Sequence, residues 1–171
     1  LLDPSNSLPY RNLAMLPSFA LAHGEASQEI TEALAKLASD NPDIALLQYL
    51  VGISRLRKAQ VEGDEEGMED AFARLRKAIE IDPELAEAHH GLARLLLHQN
   101  RLEEALEAAR RAAQLSSDTP LYHYTISRIL MLQGKREESD TWLSSFRRLQ
   151  KDHDQQRRRQ YELLSVLKAE R

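Results

Sequence analysis

Six histidines, a run of three arginines and an acidic turn are the residues whose chemistry stands out in this 171-residue chain. His90 and His98 lie eight residues apart, about two helical turns, and so share a face. No H-E-x-x-H accompanies them, and the turn GDEEG at 63–67 lacks the D-x-D-x-D-G spacing of a calcium loop. Neither is expected to hold a metal; the histidines read as packed or exposed side chains and the turn as solvated. With no cysteine there are no disulfides, thiolate nucleophiles or Cys-zinc sites. No G-x-S-x-G, phosphate loop or dinucleotide fingerprint occurs, so neither catalysis nor a cofactor is expected. Arg157, Arg158 and Arg159, with Arg147, Arg148 and Lys151, make the last part of the chain basic: residues 147–171 hold eight Lys/Arg against four Asp/Glu. The whole chain carries −4. Such a patch could meet nucleic acid or an anionic surface, although a short basic stretch on a helix is more often a solvated face.

Composition indicates what must position these groups. Hydrophobic residues make up 42%, charged residues 29% and aromatics only 5%, which suits a helical protein better than a β-sandwich. No apolar run approaches the roughly 18 residues of a membrane span. The stretch LAMLPSFALA after Arg11, ending at Ala20–Ala22, resembles a signal-peptide core and cleavage site. The preceding LLDPSNSLPY reads as ordinary folded sequence, and that reading is preferred. A soluble protein of the cytoplasm or periplasm is expected.

The chain repeats itself. AEAHHGLARLLLHQNRLEEALEAARRAAQLSSDT, from Ala86, and PLYHYTISRILMLQGKREESDTWLSSFRRLQKDH, from Pro120, begin 34 residues apart. In each, an apolar-periodic segment meets a short polar break, HQN or QGK, and a second periodic segment follows. This resembles the tetratricopeptide repeat, a 34-residue helix-turn-helix. The family's characteristic slots hold His89, Leu92, Ala93, Leu96, Asn100, Ala105, Ala109, Ala112 and Ser117 in one unit. They hold His123, Ile126, Ser127, Leu130, Gly134, Ser139, Leu143, Phe146 and Lys151 in the next. The departures are a His in the first, usually aromatic, slot, the small Ala109, the large Phe146 and no closing Pro.

Two earlier units extend the pattern. Pro83 closes a unit that starts at Ala45, with Gln48, Val51 and Gly52 in its first helix and Ala71, Leu75 and Ala78 in its second. That unit has seven extra residues, two helical turns, which the first helix can absorb through SRLRKAQ. Pro42 closes a unit with Tyr10, Leu13 and Ala14, then Ile30, Leu34 and Leu37; about four residues are inserted and Pro17 kinks or delays its first helix. The expected fold is therefore an all-α, right-handed α-α superhelix of helix-turn-helix repeats at about 7–44, 45–85, 86–119 and 120–151. A C-terminal capping helix at about 152–169 is expected to lay Tyr161, Leu164 and Leu167 over the last repeat. No Gly or Pro separates it from the preceding helix, which could run straight on.

What the resemblance implies about function is protein binding in a concave groove lined by the first helices. The groove slots hold Arg11 and Met15, then Tyr49, Ile53, Leu56 and Arg57. His90, Arg94, Leu97 and His98 follow, then Tyr124, Arg128, Met131 and Leu132. Arg94 and Arg128 share one slot in consecutive repeats, as do His90 and Tyr124. Arginines beside aromatics suit a carboxylate-bearing peptide or helix, through bidentate hydrogen bonds and stacking. The family's chaperone-tail clamp of Lys and Asn is not expected: its slots hold Arg11, Met15, Leu50, Glu87 and Gly91, of which only Arg11 is compatible. The alternatives are self-association as part of a larger multidomain protein, or nucleic-acid binding through the basic C-terminal helix.

Overall fold

The computed structural model describes residues 28–169, and every element among them is an α-helix. They are α1 (Gln28–Asp40), α2 (Ala45–Glu62), α3 (Glu65–Ile81), α4 (Ala86–His98), α5 (Leu102–Leu115), α6 (Pro120–Leu132) and α7 (Arg136–Ala169). Arg11, Met15, Pro17 and the first helix of the first unit lie outside the described residues. The rest stack as hairpins α2/α3, α4/α5 and α6/α7, each packed on the next.

Local chemistry sets the boundaries. Within a hairpin, the turn needs a residue in the left-handed region, supplied by Gly63 (φ 69°), Asn100 (φ 58°) and Gly134 (φ 78°). In the two regular hairpins the turn is closed by equivalent bonds: Arg101 N–H to Leu96 O and Lys135 N–H to Leu130 O, both 2.9 Å. Between hairpins, the histidines in the usually aromatic slot act as tethers. His89 Nε2 lies 2.9 Å from Pro83 O and His123 Nε2 lies 2.9 Å from Ser117 O. A large aromatic is replaced by a ring that both packs and satisfies a carbonyl six residues back.

Small residues allow the close approach within hairpins. Ala71, Ala78, Ala105, Ala109 and Ala112 are fully buried, and a larger side chain at such a place costs about 1–3 kcal/mol. In the last hairpin the equivalents of Ala93 and Ala105 are Ser127 and Ser139, whose hydroxyls lie 3.0 Å apart. Ser139 Oγ donates to Ser127 O at 2.8 Å, so the two buried hydroxyls have partners.

Two expectations are corrected. The extra seven residues of the second unit do not lengthen its first helix alone. α2 has 18 residues against 13 in α4, and α3 has 17 against 14 in α5, so both arms of the hairpin grow. Continuing both helices keeps their facing stripes paired, whereas lengthening one would leave its new turns unpartnered. The segment at 152–169 is not a separate helix folded over the last repeat. It is the outer part of α7, which runs unbroken for 34 residues, and Tyr161 and Leu164 are exposed on it. Among the described helices α7 lies along α6, with Glu138 reaching Arg110 of α5.

The last hairpin has the composition of an outer unit. Leu106 and Ala113 of α5 are buried, while the residues in their slots on α7, Asp140 and Arg147, are exposed. Ala109 and Ala112 are enclosed in the cluster joining α5 to α6. No described helix follows α7, so their counterparts Leu143 and Phe146 have room to be large. Phe146 uses it to lie against Tyr124, ring centroids 5.4 Å apart.

Candidate peptide-binding groove

The curvature of the stack follows from which helices touch. α2 packs directly on α4, and α4 on α6, whereas the backbones of α3, α5 and α7 stay apart and α5 reaches α7 through the Arg110–Glu138 ion pair. The first helices therefore line the inner side, with α2, α4 and α6 as its walls.

The expected groove residues fall into three groups. Tyr49, Ile53 and Arg57 on α2 are half-buried. Burial pushes the Tyr49 hydroxyl up to about 12, Glu87 adds to the rise and Arg94 opposes it. On α4, Arg94 and His98 are exposed, but His90 is only 6% exposed. Its slot faces the next hairpin, and α6 covers it: Nε2 is 2.9 Å from Thr125 Oγ1, and the ring centroid is 4.8 Å from that of Tyr122. Thr125 donates its own hydroxyl proton to Leu121 O at 3.0 Å, so His90 Nε2–H is the donor in this pair. His90 is thus a packing residue beneath the groove, where the sequence placed it on the surface. On α6, Tyr124, Arg128 and Met131 are all exposed.

Arg57, Arg94 and Arg128 make no ion pair among the described residues, whereas Arg55 and Arg74 both bind Asp70 on the flank of the α2/α3 hairpin. Glu87 is an acidic side chain on the same side, electrostatically coupled to Tyr49 and Tyr122. Sequence reasoning omitted Leu121, which occupies a groove slot on α6 and is exposed. Its signal was available in the slot pattern, since it lies seven residues before Arg128 on the same helix face.

Burial of His90 carries a pH prediction. Burial, then the Arg94 charge, lowers its pKa from the ordinary 6.5 to about 3. In the unfolded chain the ring regains its usual affinity for a proton, so between these values the unfolded state binds more protons. The associated stability is complete above the unfolded value and is lost as pH falls toward the folded one. At about 1.4 kcal/mol per pH unit, acidification from pH 7 to 5 should cost the wild type about 2 kcal/mol more than His90→Gln. Urea denaturation at the two pH values measures this; equal losses in both proteins would show that His90 is not held neutral.

A cleft of about 760 Å³ also lies outside the groove, between α3 and α5, with Ile79, Leu92 and Leu96 in its lining. Its walls mix Arg76, Arg111 and Lys135 with Glu80, Glu103 and Glu107. Because both signs alternate there, it selects no ligand charge, and the groove is the stronger candidate. Among the described residues no group of three or more His, Asp or Glu converges as a metal site, and no helix is long and apolar enough to cross a membrane.

The tetratricopeptide repeat family matches residues 65–129, the stretch from α3 to most of α6. Residues 65–129 are tetratricopeptide repeats. The stacked hairpins also resemble solved structures of MamA. One has a TM-score of 0.63 at 18% identity, covering 82% of this chain and 78% of that one. MamA designated MSR-1 gives 0.58 at 22% identity, covering 78% and 73%. An RS-1 double mutant of MamA gives 0.63 at 19%, covering 80% and 73%. At these identities the likeness is one of fold, an α-α superhelix of tetratricopeptide repeats. No curated protein matches the chain by sequence.

Proposed function

We propose that the chain is a protein-interaction scaffold whose inner groove binds a carboxylate-bearing segment of a partner protein. Tetratricopeptide arrays as a class serve protein–protein interaction. The observation that carries the finer reading is the repetition of Arg94 as Arg128 in the same slot one repeat on, with both side chains exposed and without an ion pair among the described residues. A guanidinium offers a planar fork of donors that matches a carboxylate, and among the described residues no carboxylate occupies it.

Reversing both charges, Arg94→Glu with Arg128→Glu, should reduce capture of partner proteins from a lysate by about tenfold or more. Both positions are on the surface, so circular dichroism and melting should be unchanged. Equal capture by the variant and the wild type would sink the proposal. The basic C-terminal stretch is less favoured as a nucleic-acid site. Arg157, Arg158 and Arg159 are consecutive on a helix and so point about 100° apart. Arg157 also pairs with Asp154.

A further inference from the structure

The inner face of α6 differs from the other two walls. Leu121 (52% exposed), Tyr124 (43%), Met131 (45%) and Leu132 (57%) stand open around Arg128. Scattered exposed apolar residues are ordinary; four on one face of a 13-residue helix form a patch. One repeat earlier, the slots of Tyr124 and Met131 hold His90 and Leu97. His90 is shut in by α6, and Leu97 packs into the core cluster. A helix therefore covers in α4 what is left open in α6.

Resting on the reading of the groove as a binding surface, we infer that the α6 wall takes an α-helix from a partner protein. That helix is amphipathic, with apolar residues at i and i+7 and Asp or Glu at i+3 or i+4. The spacing decides the conformation. Tyr124 and Met131 are seven residues apart on α6, about 10 Å along its axis, with Arg128 between them. A β-strand places same-side residues about 7 or 13 Å apart and turns the residue at about 10 Å to the opposite side. A polyproline helix brings i and i+3 to one side about 9 Å apart but leaves no third side chain between them on that side. An α-helix alone supplies all three groups: two apolar contacts about 10 Å apart and a carboxylate between them. The carboxylate is required by charge, because Arg128 makes no ion pair among the described residues.

The test is a selection from an unbiased random 16-residue peptide display library on the whole chain. Enriched peptides are then synthesised and measured by fluorescence anisotropy against wild type, Arg94→Glu and Arg128→Glu. The expected result is enrichment of the apolar–acid–apolar seven-residue pattern. A Pro at a non-contacting central position should weaken binding by about tenfold or more. Arg128→Glu should weaken it similarly, and a peptide with Lys in place of the acid should restore binding to that variant. Acidic binders that tolerate Pro and lack the pattern, yet are lost with Arg94→Glu or Arg128→Glu, would overturn the helical occupant and leave the groove reading standing. Binders indifferent to both arginines would overturn both. A selection that enriches no peptide would count against the helix.

Discussion

Leu75→Ala should lower the unfolding free energy by about 2–5 kcal/mol. Leu75 is fully buried in α3, in the cluster with Leu56, Ala59, Ala71 and Leu95. Two glycines shape its surroundings. A Cβ on Gly52 of α2 would lie 3.0 Å from Leu75 Cγ, and one on Gly91 of α4 would lie 2.8 Å from Leu75 Cδ2. The leucine thus fills a hole formed by two successive first helices, so its removal leaves a cavity at a joint between hairpins. Urea unfolding followed by circular dichroism measures the loss. A change under about 1 kcal/mol would mean that the joint collapses around the vacancy.

Filling the hole from the other side should be almost as damaging. Gly91→Leu drives four heavy atoms into space held by Leu75 Cδ2 and Ile53 Cδ1, each 2.8 Å from where the first of them would sit. Overpacking of this kind costs about 3 kcal/mol, more than the roughly 1 kcal/mol gained by removing a glycine from a helix. The two substitutions should not add. In the Leu75→Ala background the new side chain has room, so the double variant should be about 1–3 kcal/mol more stable than the sum of the single losses predicts. Additive losses would show that the two residues do not share one space.

The joint marks how far the sequence was legible. The 34-residue step, the helix pairs, the left-handed turn residues at Asn100 and Gly134 and the small residues of the core all follow from local pattern. Each depends on one hairpin, and a hairpin is a short-range object. What escaped depends on how hairpins stack. Gly91 looked like an unsuitable ligand clamp, yet its physical role is to receive Leu75 from the preceding unit. His90 and Tyr124 share a slot but not an environment, because the next first helix, α6, packs over His90, whereas no further first helix is found among the described residues to pack over Tyr124. Phe146 breaks the small-residue pattern because no described helix packs on α7 from beyond it. Of the expected site, Arg94, His98, Tyr124, Arg128 and Met131 are on the surface, Tyr49, Ile53 and Arg57 are partly covered, and His90 is enclosed. Arg11 lies outside the described residues.

The unbroken α7 gives this arrangement a mechanical side. Its 34 residues span about 51 Å, against about 20 Å for the 13 residues of α6. The outer part, some 30 Å long, extends from a seat that α7 makes chiefly on α6 among the described residues, and Phe146 resting on Tyr124 is part of that seat. It is a lever with its fulcrum beside the groove. A tilt of about 5° at the seat carries the far end through roughly 2–3 Å, a displacement on the scale of helix shifts in known switches. Because the arm is longer than its seat, any shift of Tyr124 against Phe146 is multiplied along it.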